Sequence, residues 1–166
     1  MNSVEQLLGF LGSKAKLIRD TFARHQIEYM FIGKGAAIAV GFTGTTRDLD
    51  VYPDKSLENR KKLVDALHEI GFEMSVVLDG KKVNYEDQIL SGADFIQLRK
   101  PFDLDVIFAP DGFENYTEAE KFKIIVDEYP LMNMAGIIRT KKAAGRKRDK
   151  IDLPLLQEFK DWLDEQ

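Results

Sequence analysis

The apolar residues of the chain recur at two spacings, and the helical spacing dominates near the start. Large apolar side chains repeat at intervals of three and four between residues 7 and 22, which predicts amphipathic helices with a break near Gly12. Ser3 and Gln6 have the spacing of a capping box, which marks the beginning of a helix. Residues 1–27 are therefore expected to form an N-terminal helical region.

Three later segments combine helical periodicity with residues typical of helix ends. Ser56 and Gly71 bracket one segment with a single apolar face, and Asn133 and Gly145 bracket a second. A final amphipathic helix is predicted to begin at Pro154, because proline is favourable in the first turn of a helix.

Alternating or continuous apolar runs predict the strands. Residues 81–92 carry no clear periodicity, and residues 117–126 fit either a helix or a strand. The turn dipeptide Lys100-Pro101 lies between two alternating runs, which predicts an antiparallel hairpin. The predicted strands cover residues 29–32, 47–52, 72–78, 95–99 and 103–109.

This mixture of helices and strands predicts an α/β (α+β) domain with a central mixed β-sheet flanked by helices. A length of 166 residues suits a single domain. We expect residues 1–27 to form a helical region, residues 28–153 a core, and residues 154–166 a C-terminal helix.

Composition limits the setting and the chemistry. No apolar run approaches the roughly 20 residues that span a bilayer, and the first residues lack a basic and then apolar signal, so we expect a cytoplasmic protein without a membrane partner. The chain has no cysteine and only two histidines. A bound metal would therefore be held mainly by carboxylates, which suits Mg²⁺ or Mn²⁺ better than zinc.

Charge is unevenly distributed along the chain. Residues 139–150 hold seven basic residues and one acidic residue, which leaves 17 basic against 27 acidic residues, or −10, elsewhere. A basic segment on an acidic protein indicates a local anion site, with a nucleic-acid-binding surface as an alternative.

Residues 31–53 combine the features of a phosphate site and of a metal site. An apolar strand meets a glycine turn at Gly33, a short helix of small residues follows, and the next strand carries Asp48 and Asp50. Glycine lets the backbone approach phosphate oxygens, and the N–H groups that begin a helix favour an anion. Residues two apart on a strand point to the same face, so Asp48 and Asp50 can bind one divalent cation.

A third carboxylate is expected from the predicted hairpin. Metal-assisted transfer of a phosphoryl group commonly uses carboxylates on neighbouring strands. Asp105 is our choice for the third carboxylate, because it lies in an apolar run of the strand. Asp103, two residues earlier, points to the same face of the strand and is the alternative.

Three motifs occur in order along the chain, and together they carry a resemblance. They consist of Gly33, Ala36, Gly41, Thr46, Asp48 and Asp50, then residues 104–107, then Lys141, Ala143, Ala144, Gly145, Arg146, Asp149 and Asp152. With these motifs the chain resembles the nucleotidyltransferase superfamily of the DNA polymerase β-type fold, and in particular the short bacterial branch that includes the AbiEii-type toxins.

The resemblance implies an activity and a set of site residues. It implies Mg²⁺- or Mn²⁺-dependent transfer of a nucleoside monophosphate from a nucleoside triphosphate to an acceptor hydroxyl on a protein, an RNA or a small molecule. The implied catalytic and metal-binding residues are Asp48, Asp50 and Asp105, and the implied nucleotide-binding residues are Gly33, Lys34, Thr46, Lys141 and Arg146.

Two positions depart from the pattern of this family. Lys34 replaces a small residue in the glycine turn, where its ammonium group either contacts phosphates or hinders them, and Gly44 replaces a common arginine. An ion-pair network of Arg146, Asp149 and Asp152 that fixes the last helix is an alternative, or an addition, to phosphate binding.

The alternative function is a catalytically silent nucleotide-sensing or protein-binding module of the same fold. For an active enzyme, the short chain favours an acceptor macromolecule, a partner protein or a homodimer that completes the mouth of the site. The sequence leaves open whether an antitoxin-like partner exists.

Overall fold

A computed structural model describes residues 2–166 and has a mixed α/β architecture built on a six-stranded mixed sheet. This confirms the predicted α+β class. The helices are α1 (Val4–Leu8), α2 (Gly12–Arg24), α3 (Gly33–Ala39), α4 (Leu57–Ile70), α5 (Tyr85–Leu90), α6 (Tyr116–Glu120), α7 (Met134–Ala144) and α8 (Lys147–Asp164). The strands are β1 (Tyr29–Ile32), β2 (Leu49–Pro53), β3 (Ser75–Leu78), β4 (Lys81–Asn84), β5 (Phe95–Leu98), β6 (Leu104–Ile107), β7 (Lys123–Val126) and β8 (Tyr129–Met132).

The order of strands in the sheet is β5-β6-β2-β1-β8-β7, and β3 and β4 form a separate hairpin. All four residues of β1 are buried, which explains why this central strand is continuously apolar. It pairs antiparallel with β2 and parallel with β8. Strand β6 pairs parallel with β2 and antiparallel with β5, so the predicted hairpin is confirmed.

The predicted helix ends are confirmed where a capping residue at the end of the helix determines them. The side chains of Ser56 and Asn133 accept hydrogen bonds from backbone N–H groups three residues later, at 3.2 and 2.9 Å. Gly71 and Gly145 end α4 and α7 in the left-handed conformation, at φ of 98° and 60°.

The last helix begins earlier than predicted, at Lys147 instead of Pro154. A carboxylate oxygen of Asp149 accepts a hydrogen bond at 3.1 Å from the backbone N–H of Arg146, which caps the helix one turn or more upstream. Pro154 therefore lies inside α8. It is exposed, so water can satisfy the carbonyl group that loses its N–H partner.

Several helices and strands differ from those that the apolar pattern predicts, because they depend on contacts with distant parts of the chain. The predicted strand over residues 72–78 is shortened to β3, and the segments without a clear prediction hold β4, α5, α6 and β7. Strand β8 was not predicted, because it is short and contains Pro130, which cannot donate a hydrogen bond. It forms by pairing with β1, where Phe31 is registered with Leu131.

The topology places three connections at the same end of the sheet. Helix α3 follows β1 without an intervening loop, β2 follows the threonine-rich segment, and α7 follows β8. Helices α7 and α8 pack against each other, and α7 contacts α3. The helices within residues 2–166 are too short or too polar to cross a membrane.

Candidate functional site

The site is organised by the pairing of β1, β2 and β6. Asp50 is registered with Ile32 on β1 and with Asp105 on β6. Directly opposed residues of neighbouring strands project to the same face of a sheet, so the carboxyl groups of Asp50 and Asp105 lie side by side. Asp48, just before β2, lines the same cavity.

Gly33 holds the carboxyl group of Asp50 against the backbone. The φ of Gly33 is +70°, and a Cβ atom at this position would lie 2.3 Å from Oδ2 of Asp50. A side chain would thus be strained by the backbone conformation and would also collide with the carboxylate. By contrast, a Cβ atom on Gly35 would make only ordinary contacts, the nearest at 3.7 Å.

The hydroxyl group of Thr46 contributes to the shape of the loop before β2. It donates a hydrogen bond of 3.3 Å to the backbone carbonyl of Asp48, and Thr46 lines the cavity. The interaction fixes the approach of Asp48 to the sheet, which is a positioning role that the sequence did not suggest.

The three carboxyl groups repel one another when ionised. Burial, together with the negative charges of Asp105 and Asp48, raises the pKa of Asp50 to about 7. Burial and the charge of Asp48 also raise the pKa of Asp105, against the opposing effect of Arg99. The cluster therefore retains a proton near neutral pH unless a cation neutralises it.

The two candidates for the third carboxylate occupy different positions. Asp105 lines the cavity, whereas Asp103 precedes β6 and lies outside it, with its side chain 40% exposed. Arg99 lies near both, with Nη1 3.4 Å from Asp105 and Nε 3.9 Å from Asp103. Position thus favours Asp105 over Asp103.

Lys34 and Gly44, the two positions that differ from the pattern of the family that the sequence resembles, are close neighbours. Cε of Lys34 lies 3.2 Å from the position that a Cβ atom on Gly44 would occupy, and Nζ lies 3.8 Å from it. Lys34 lines the cavity, and no ion pair of Lys34 with an acidic side chain is formed within residues 2–166. Its ammonium group is therefore available to an anion.

Lys141 and Arg146 both line the cavity, and both also bind a buried carboxylate. Asp149 has no exposed side-chain area, and its oxygens lie 3.3 Å from Nζ of Lys141 and 2.7 Å from Nε of Arg146. Asp152 lies 3.7 Å from Lys141. Burial alone would raise the pKa of Asp149, but the hydrogen bonds from Arg146 and Lys141 outweigh burial and lower it. The expected pair of Arg146 and Asp149 is thus present beside the cavity, and Asp152 joins it through Lys141, which the prediction did not include.

The cavity has a volume of about 550 Å³ and includes residues that sequence reasoning missed. Arg148 adds another cation, and Phe95, Ile107, Ala109 and Pro110 form an apolar wall. Phe95 is registered with Ile107, two residues beyond Asp105 on the same face of β6. The alternation of faces in the predicted hairpin could have identified Phe95 as a residue on the same face as Asp105.

The donor set suits a hard divalent cation, although the side chains are not gathered around one point. No group of three or more histidine or acidic side chains in residues 2–166 is arranged to hold a metal ion. Three carboxylates nevertheless line one cavity, where burial and the charge of neighbouring carboxylates raise the pKa of Asp50 and of Asp105. Carboxylate oxygens are the ligands that Mg²⁺ and Mn²⁺ prefer, so the residues fit such an ion chemically.

Comparison with known proteins leaves the geometry as the main evidence. No protein-family model matches the chain, and no curated protein sequence matches it.

The contact between Gly33 and Asp50 can be tested by stability. Gly33→Ala is expected to lower the free energy of unfolding in urea by at least about 1 kcal/mol more than Gly80→Ala. Gly80 has a φ of +77° but nothing within 4 Å of an added Cβ atom, so it controls for backbone strain alone. In an Asp50→Ala background the extra cost should disappear, and equal costs for both glycines would contradict the steric role of Gly33.

The repulsion between the carboxylates predicts a pH-dependent stability. A carboxyl group with a raised pKa in the folded state holds its proton more tightly there than when unfolded. Stability should therefore fall as pH rises from about 4 toward the folded pKa of about 7. Asp50→Asn removes this loss. The free energy of unfolding of the variant should therefore exceed that of the wild type by on the order of 2 kcal/mol at pH 8, and by a smaller amount at pH 4.

Thermal unfolding at a series of pH values measures this effect. Asp103→Asn is the matched control, because Asp103 lies outside the cavity and its removal should leave the profile unchanged. Mg²⁺ or Mn²⁺ should raise the Tm of the wild type more than that of Asp50→Asn at pH 8. A pH-independent difference between Asp50→Asn and the wild type would rule out the repulsion.

Proposed function

We propose that the protein is a metal-dependent nucleotidyltransferase, with a fold of the DNA polymerase β type. The observation that carries the proposal is that three carboxylates, Asp48, Asp50 and Asp105, line one cavity together with cationic side chains. Folding alone does not require three like charges to converge. Metal-dependent phosphoryl transfer is served by this combination, because the reaction depends mainly on positioning and on electrostatic stabilisation.

The sheet supports the same family assignment. The two strands that carry the aspartates are adjacent and parallel, and the glycine turn lies at the end of β1, on the other side of β2. The basic segment comes to the same cavity on α7 and at the start of α8. Residues more than a hundred positions apart in the motifs are thus neighbours in space.

The cations would bind the triphosphate, and the carboxylates would organise the reaction. Mg²⁺ held by Asp48, Asp50 and Asp105 would neutralise charge on the phosphoryl oxygens. Lys34 and Arg148 would contact phosphate oxygens, joined by Lys141 and Arg146 where their bonds to Asp149 leave donors free.

The transfer itself exchanges one P–O bond for another. The acceptor oxygen forms a bond to the α-phosphorus, the bond to the bridging oxygen breaks, and pyrophosphate leaves. A carboxylate oxygen of Asp105 would accept the hydroxyl proton and then release it to solvent. The product is the acceptor that carries a nucleoside monophosphate.

The two sides of the cavity suggest where each substrate lies. Lys34 lies on α3 and Lys141 on α7, whereas Phe95 and Ile107 lie on β5 and β6 at the other side of the carboxylates. Attack in line with the leaving pyrophosphate requires the acceptor opposite the phosphate-binding cations. The acceptor would therefore approach over the apolar wall.

A nucleotide-binding module without transferase activity is the second candidate. It is favoured by one observation, the pairing of Lys141 and Arg146 with buried Asp149, which already satisfies part of their charge. Such a module would bind the triphosphate and would release it unchanged.

Label transfer distinguishes these functions. The protein is incubated with each α-labelled nucleoside triphosphate, Mg²⁺ and cellular RNA and protein. We expect label on an acceptor, and a loss of at least about 100-fold in Asp48→Asn and in Asp50→Asn, but not in Asp103→Asn. Saturable triphosphate binding without transfer would establish the binding module, and absence of both would overturn the proposal.

The role of Lys34 can be measured by triphosphate affinity. Lys34→Ala should weaken binding by about 10-fold or more, because one charge-assisted contact to phosphate is lost. In the Lys34→Ala background, Gly44→Arg should restore part of the affinity from the neighbouring position. Lys142→Ala is the matched control, since Lys142 lies in the same basic segment but outside this cavity. Tighter binding by Lys34→Ala would show instead that the lysine obstructs the triphosphate.

A further inference from the structure

Arg99 is the basic residue that pairs directly with the carboxylates of the candidate site. Its Nη1 atom lies 3.4 Å from Oδ1 of Asp105, whose side chain is only 13% exposed. No other ion pair within residues 2–166 involves any of the three aspartates that line the cavity. Lys141 and Arg146 line the same cavity, but they pair with Asp149. Direct pairing with a cation thus reaches the three aspartates at one point.

The fold brings Arg99 to Asp105 from the edge of the sheet. Arg99 directly follows β5, the edge strand that pairs with β6. Its Nη1 atom also donates a hydrogen bond of 3.2 Å to the carbonyl of Leu98. The next residue is fixed as well, because the carbonyl of Lys100 accepts a hydrogen bond of 3.0 Å from the backbone N–H of Glu73. Backbone contacts therefore set the position of the guanidinium group beside the carboxylate.

The contact leaves one oxygen of Asp105 for chemistry. Nη1 of Arg99 donates to Oδ1, at one edge of the carboxylate. A hydrogen bond between two charged groups restricts the rotation of the carboxylate, so Oδ2 is presented in a narrower range of directions. Such alignment matters because misplacement of a reacting group by about 1 Å can cost about 100-fold in rate.

Arg99 is placed to act on Asp105 and not on the triphosphate. It lies outside the cavity and follows β5, whereas Lys34 lies in the cavity on α3 and Lys141 on α7. Its side chain is 49% exposed, and its contact with Asp103 is longer, at 3.9 Å. Ion pairs with this much exposure contribute little to stability. The pairing with Asp105 is therefore better suited to orienting that side chain than to holding the domain together.

We propose that Arg99 is a positioning residue, which holds Oδ1 of Asp105 and so leaves Oδ2 aligned for the metal ion and the acceptor hydroxyl. This inference rests on the proposed transfer of a nucleoside monophosphate. Arg99 keeps its own proton throughout and contacts neither substrate. Asp105 alone accepts the hydroxyl proton, and without Arg99 it stays in the site but is less well aligned.

Rates of label transfer test this role. With the α-labelled triphosphate, Mg²⁺ and cellular RNA and protein, Arg99→Gln should lower kcat by about 10-fold or more and change the KM for the triphosphate by less than about 2-fold. Arg99→Lys should recover part of the rate, because it restores a charged donor. Lys100→Gln removes the neighbouring exposed cation, and Asp103→Asn removes the other carboxylate near Arg99. Both control variants should keep the wild-type kcat.

A double variant separates positioning from a general effect on the protein. In an Asp105→Asn background, Arg99→Gln should cause no further loss of rate, because Arg99 acts through Asp105. The Tm of Arg99→Gln should equal that of Lys100→Gln, and a clearly lower Tm would show a structural role instead.

The outcomes that contradict this inference differ from those that contradict the proposed function. A wild-type kcat in Arg99→Gln, or additive losses in the double variant, would overturn the role of Arg99 alone. A raised KM with an unchanged kcat would also overturn it, because Arg99 would then bind the triphosphate. Absence of transfer by the wild type would overturn the proposed function and this inference together.

Discussion

The close approach of Asp50 to Gly33 is the constraint on which the rest of the site depends. Oδ2 of Asp50 occupies the place where any other residue at position 33 would have a Cβ atom. This contact requires β1 to end beside Asp50, and the parallel register of β2 with β6 then places Asp105 next to Asp50. The turn into α3 and the position of Asp50 are therefore fixed by the same steric arrangement.

The buried carboxylates of the site differ in how closely basic side chains pair with them. The carboxylates at the centre are left with raised pKa values, whereas Asp149 nearby is buried between Lys141 and Arg146 and has a lowered pKa. The cost of burying Asp149 is offset by close pairing. Because Lys141 lies on α7 and Asp149 on α8, the same pairing joins the two helices beside the cavity. The basic segment therefore has a structural role that does not depend on a bound anion.

Local signals in the sequence were sufficient for much of the fold. Ser56, Gly71 and the alternating hairpin were identified correctly because their physical causes lie within a few residues. Strand β8 and the beginning of α8 depend on Phe31 and on the buried Asp149, which are partners that periodicity cannot show. Likewise, parity on the strand could not separate Asp103 from Asp105, and the apolar wall around Phe95 becomes a site feature only once β5 pairs with β6.

Lys34 and Gly44 are close neighbours at the edge of the cavity. With Cε of Lys34 only 3.2 Å from the place of a Cβ atom on Gly44, any side chain at position 44 would have to displace the lysine. Conversely, a small residue at position 34 would leave the space beside Gly44 empty. A cation therefore remains at this edge of the cavity, although it is carried by α3 and not by the loop before β2. The two positions are thus coupled sterically, and the positive charge of Lys34 lies at the edge of the cavity.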